Sequence, residues 1–186
     1  MKNYNKAIDY TAIGLLLIVL NIYVDFGAFR INIVPNWIGF ILMFFALKEF
    51  EDGITDHLFL KIMTIIAALY AISEWIIDIL GNPIEIAQFG FAFSLIQLLI
   101  IFGMTEIVIK TAAIENSLYE HKLNVTRTVL VLGFVLTLLS SILTYYIDEM
   151  FGLAATLSGA VVLVCAVIMI IMMYGFRNEL NNEGSL

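Results

Sequence analysis

Five polar side chains interrupt or border long apolar runs in this chain of 186 residues: Asp25, Arg30, Glu74, Asp78 and Gln88. Carboxylates and an amide in such settings can hold a cation, keep a proton or bond to a neighbouring segment. An ionised carboxylate at the centre of hydrocarbon costs roughly 3 kcal/mol or more, so each acid must find one of those partners. At a helical rise of about 1.5 Å per residue, Glu74 lies roughly 9 Å from the end of its run, Asp25 roughly 6 Å from the end of its own, and Gln88 about as deep. Asp78 is shallower. Arg30 is the one basic residue on that side of the chain's expected topology, and one arginine cannot neutralise Asp25, Glu74 and Asp78 together. These five residues form the candidate ligand- or ion-contacting group. The alternatives are a structural carboxyl at Glu74, protonated or bonded to another helix, and an Arg30–Asp25 clamp at a turn.

Other chemistries lack their residues. His57 and His121 have no second histidine at metal-ligand spacing and no H-E-x-x-H, so no metal site is expected. The acidic run Glu49, Glu51, Asp52 and Asp56 lacks the glycine placement of a calcium loop. Ser158-Gly159 is not a nucleophile elbow, and no histidine in an apolar run could serve as its base. The G-x-G-D motif of intramembrane aspartyl proteases, phosphate-binding loops and dinucleotide fingerprints do not occur. Cys165 is the single cysteine, which excludes a disulfide framework. No catalytic residue and no cofactor is expected. Nine basic against sixteen acidic residues leave no basic patch for nucleic acid.

The elements that must position the group follow from composition. The chain is 62% hydrophobic and 13% charged. Soluble domains are closer to half apolar and a quarter charged, and a chain of this size could not cover itself with polar surface. The expected class is therefore all-α, a polytopic membrane helical bundle with the lipid bilayer as its first partner. Six apolar segments are read at residues 10–29, 35–50, 58–80, 84–109, 125–147 and 151–176, the second being short for a crossing. Residues 1–177 are taken as one bundle domain and residues 178–186 as a polar tail that frays. Residues 110–122 read as an extension of the fourth helix into an amphipathic linker carrying Ile114, Leu118 and Tyr119, with Glu106 and Lys110 placed to pair. Lys2, Lys6, Lys48, Lys61, Lys110, Lys122, Arg127 and Arg177 fall on one side of a six-span arrangement, and Arg30 alone on the other. Both termini are expected to be cytoplasmic. Trp37, Trp75, Tyr145 and Tyr146 fall near the outer ends and read as interfacial anchors.

Small and polar residues mark the inward faces, because leucine does not distinguish lipid from protein. They form stripes: Gly14, Ile18, Asn21 and Asp25; Thr64, Ala67, Ala71, Glu74 and Asp78; Ala87, Gly90, Ser94 and Gln97; Gly133, Thr137, Ser140 and Thr144; Gly152, Ala155, Gly159 and Ala166. Gly14, Asn21, Gly90, Ser94 and Gly159 are the expected helix-packing positions.

The segment Asn32-Ile33-Val34-Pro35-Asn36-Trp37-Ile38-Gly39-Phe40-Ile41-Leu42 resembles an I-x-I-x-P-[DN]-[WF]-I-G-[FY] signature of small uncharacterised multi-pass membrane proteins of Gram-positive bacteria. The resemblance covers about a fifth of the chain and implies a bacterial cytoplasmic-membrane protein with no assigned reaction. In size and span number the chain is also similar to the substrate-capture subunits of energy-coupling-factor vitamin importers. It departs from them on the first helix, where Ala12 is followed by Leu16 and Gly14 by Ile18 in place of a small-x-x-x-small docking motif. The functional expectation is an accessory or interaction component, with another membrane protein as partner. The alternative is a small-solute or cation-binding transport subunit whose ligand the sequence does not name.

Overall fold

The computed structural model describes residues 4–20, 22–25, 30–50, 57–80, 87–147 and 151–183. Among them stand helices α1 (Tyr4–Val19), α2 (Asn36–Phe50), α3 (Leu58–Ile79), α4 (Ala87–Ile114), α5 (Glu120–Tyr146) and α6 (Phe151–Glu183), with strands β1 (Tyr23–Asp25) and β2 (Arg30–Asn32) between α1 and α2. The protein is thus an all-α helical bundle with one small hairpin. Helices α3 to α6 are long and apolar enough to cross a membrane. At about 1.5 Å per residue, α1 and α2 run roughly 24 and 22 Å, short of the ~30 Å of hydrocarbon. The chain divides into two compact units, Met1–Met104 and Thr105–Leu186, where the sequence reading takes 1–177 as one.

In the first unit, α1 buries Ala7, Ile8, Thr11, Ala12, Gly14, Leu15 and Ile18. Helix α2 buries Asn36, Gly39, Phe40, Met43, Ala46, Leu47 and Phe50. Both sets repeat at alternating steps of three and four, the seam spacing of two helices packed lengthwise. The crossing is closest at Gly14 and Gly39, where a Cβ on Gly39 would stand 2.7 Å from the Gly14 carbonyl oxygen. Helix α3 packs on α2 and buries only small side chains, Thr64, Ala67, Ala68 and Ala71. With lipid as apolar as leucine, small residues are what let two backbones approach.

The first segment departs from expectation. Helix α1 begins before residue 10 and ends at Val19, so Asp25 lies on a strand and not on a helical stripe with Gly14 and Ile18. The cause is local: Ile22, Tyr23 and Val24 on one side and Ile31 and Ile33 on the other are β-branched or aromatic, residues that suit a pleated ribbon. The strands pair antiparallel with Tyr23 opposite Asn32, Val24 opposite Ile31 and Asp25 opposite Arg30. Asn32 then turns the chain: its Oδ1 accepts the Val34 N–H at 3.1 Å, an Asx turn. The Pro35 carbonyl accepts from Ile38 N–H as α2 starts.

In the second unit, α5 and α6 form a long hairpin. Its seam holds Leu123, Thr126, Leu130 and Gly133 on α5 and Val162, Cys165, Ala166, Met169, Met173 and Phe176 on α6. The expected linker at 110–122 is instead a helix end and a tight turn. Helix α4 ends at Ile114, and Asn116 takes a left-handed φ of 52°. The Ser117 N–H bonds the Ala112 carbonyl and the Asn116 N–H that of Ala113, the two bonds of a Schellman cap with asparagine at its left-handed position. The expected frayed tail is also helical as far as Glu183.

Candidate functional site

The end of the first unit where α2 begins, α3 finishes and α4 begins carries the candidate group. On α3, Thr64, Ala67, Ala71, Glu74 and Asp78 lie on one face at steps of three and four. Glu74 and Asp78 are half-buried. Tyr70 and Trp75 flank that face. The Trp75 ring sits 6.2 Å from the Trp37 ring in an edge arrangement, and its indole N–H donates to the Asn32 carbonyl at 3.2 Å. That bond ties α3 to the hairpin across 43 residues of sequence. One turn deeper, Tyr70 stacks on Phe93 of α4 with centroids 4.4 Å apart, and Phe93 meets Phe40 of α2 edge-on at 5.7 Å. Glu74 lies one turn beyond Tyr70 on α3 and directly before Trp75 in the chain. The Trp37 indole N–H is buried and has no hydrogen-bond partner among the described residues.

The other expected site residues are placed as follows. Asp25 and Arg30 are register partners in the hairpin, which is the backbone placement a clamp between them requires. Gln88 lies in the first turn of α4. Asn21, Glu51, Asp52, Asp56 and residues 81–86 and 148–150 lie outside the described residues. Gly14 packs against α2 as given above. Ser94 spends its hydroxyl on the Gly90 carbonyl of its own helix at 2.9 Å. Gly90 and Gly159 meet no neighbouring helix within 4 Å of a Cβ built at either, among the described residues. A small residue permits a contact without requiring one, and the α5–α6 seam falls instead at Gly133, whose Cβ would meet Val162 at 3.1 Å.

Sequence reasoning reads the tryptophans only as interfacial anchors. It also misses a polar cluster in the second unit. Arg127 on α5 pairs with Glu106 on α4 and bonds Asn124 at 2.7 Å, while Lys110 takes the other Glu106 oxygen at 3.3 Å. The Lys110–Glu106 half is legible from spacing; the Arg127 half needs the turn at Asn116. Glu179 on α6 accepts from the Ser117 hydroxyl and from the Leu118 N–H at 3.3 Å. Gly175 leaves room for the Tyr119 ring, which lies 2.6 Å from where a Cβ would be.

No family model, curated protein or solved structure matches this chain.

Proposed function

We propose that this integral membrane protein is an accessory or interaction component of a bacterial cytoplasmic membrane, with no catalytic chemistry of its own. One observation carries the reading: hydroxyls on its helices are taken up by the backbone of their own helix. Thr11, Thr111, Thr126, Thr137, Ser141 and Thr144 each donate to the carbonyl four residues earlier in their own helix, and Thr137 meets Ser158 of α6 at 3.0 Å. A hydroxyl satisfied within its own helix can sit in an apolar setting without a water or solute partner. The Gram-positive resemblance at residues 32–42 supports the bacterial setting. The test is photo-crosslinking in cells from Ile66 and Leu69, apolar residues exposed on α3. A discrete protein adduct that persists at native expression is the expected result. Lipid adducts alone at both positions overturn the reading.

The second reading is a small-solute or cation-binding transport subunit. The half-buried carboxylate of Glu74 on an otherwise apolar helix favours it. Thermal melts of wild type, Glu74→Gln and Glu74→Leu across a panel of cations and solutes separate the two: a ligand-dependent rise in Tm that Glu74→Gln abolishes supports a binding subunit. Equal melts for wild type and Glu74→Gln under every condition leave the carboxylate without a binding role.

A further inference from the structure

We infer that the β1–β2 hairpin is a two-faced ribbon set in the outer leaflet, its aliphatic face on acyl chains and its polar face and β1 edge on water. The outer leaflet is the one opposite Lys6, Lys48 and Lys61, which mark the other end of α1, α2 and α3. The register carries the first step. Side chains alternate between the two faces of a strand, so Tyr23 with Asn32 and Asp25 with Arg30 fall on one face. Val24 with Ile31 and Ile22 with Ile33, joined by a backbone bond of 2.9 Å, fall on the other. That second face is wholly β-branched and aliphatic. It is open at Ile22 and Ile33, both exposed, whereas Asn32 on the polar face is buried.

Depth is the second step. The Trp75 indole bonds the Asn32 carbonyl, which sets the base of the ribbon at the Trp75 level of α3. That level is roughly 26 Å along the helix from Leu58, and Ile76, Ile79 and Leu80 beyond it are apolar and exposed. The hydrocarbon that those three face therefore runs outward past Asn32. Helices α1 and α2 stop short of a crossing, and residues 22–25 and 30–33 complete it by adding roughly 10 Å of strand to each. The last step is the backbone. Lipid offers no partner to the N–H and C=O groups of an open strand edge. On β2 the Trp75 indole takes the Asn32 carbonyl and α3 packs along the strand. Among the described residues no helix packs along β1 as α3 does along β2. Water therefore reaches the β1 edge at a depth where the neighbouring face of α3 meets lipid.

Site-directed spin labelling of the full chain tests this in nanodiscs of phosphatidylglycerol and phosphatidylethanolamine. Cys165 is the single cysteine, so Tyr23→Cys, Val24→Cys, Asp25→Cys and Ile33→Cys are each made in a Cys165→Ser background and labelled. Collision with oxygen, which partitions into lipid, is read against collision with a water-soluble nickel chelate. Leu69→Cys, at an exposed position of α3, is the lipid reference, and Asn116→Cys, exposed at its turn, is the water reference. The nickel-to-oxygen ratio should alternate along the strand. It should approach the water reference for Tyr23→Cys and Asp25→Cys and the lipid reference for Val24→Cys and Ile33→Cys. Any pattern without that alternation overturns the proposal. A water-like ratio at all four positions puts the ribbon outside the bilayer, and a lipid-like ratio at all four leaves no wet face. Low collision with both reagents at Tyr23→Cys and Asp25→Cys shows protein, not water, on the β1 edge. If Tyr23→Cys or Ile33→Cys melts far below wild type, Arg30→Cys or Ile22→Cys stands in on the same face, and the same outcomes decide.

Discussion

Gly39→Ala should destabilise the protein although alanine is the better helix former. A Cβ at residue 39 would lie 2.7 Å from the Gly14 carbonyl oxygen, 2.7 Å from Ile18 Cγ1 and 3.2 Å from the Ile18 backbone nitrogen. Ordinary van der Waals contact begins near 3.4 Å. Two of the three neighbours are backbone atoms of α1, so rotating a side chain cannot relieve the clash, and the helices must separate by several tenths of an ångström. That opening would loosen the seam from Ala7 to Ile18. Overpacking of this kind costs about 1–3 kcal/mol, against a helix-propensity gain of about 0.5–1 kcal/mol for replacing glycine. The middle of these ranges leaves a net loss of about 1 kcal/mol, or roughly 2–4 °C in Tm for a chain of this length. Thermal melts in detergent would measure it. Gly159→Ala is the internal control: with no atom within 4 Å of its Cβ, it should keep or slightly raise Tm. If the two variants melt alike, the close crossing of α1 and α2 is not what Gly39 is for.

Arg127→Met removes the better-buried partner of Glu106 and should cost about 1.5–3 kcal/mol. Lys110→Met, which removes a partner 71% exposed, should cost under about 1 kcal/mol; melts that rank the two the other way refute this reading of the cluster. Glu179→Ala should free the turn at Ser117 and Leu118, seen as faster hydrogen exchange at residues 117–119 with little change in α5; unchanged exchange there would show that the turn holds without it. Finally, in a Cys165→Ser background, a cysteine at Asn116 should react with an impermeant thiol reagent only after permeabilisation, and one at Tyr146 in intact cells. The reverse pattern would overturn the cytoplasmic placement of the termini.

Composition alone established a membrane helical bundle, since 62% hydrophobic residues with 13% charged exceed what a small soluble core can hide. Local chemistry made the starts of α2 just after Pro35 and of α3 at Leu58 legible, as well as the inward face of α3 and the Glu106–Lys110 pair, because each depends on residues within one or two turns. Where α1 stops was not legible. A stretch such as Ile22-Tyr23-Val24 is apolar enough to continue a helix, and only pairing with residues 30–32 makes it a strand. The glycines show the same division. Gly14, Gly39, Gly90 and Gly159 look alike in sequence, yet the first two form a backbone contact and the last two meet nothing within 4 Å among the described residues. Glu74 was found from sequence by its charge in an apolar run. The rings of Trp37 on α2, Tyr70 and Trp75 on α3 and Phe93 on α4 meet across three helices, and their convergence was decided by tertiary packing, because side-chain spacing within one helix carries no information about which rings of another helix will meet it.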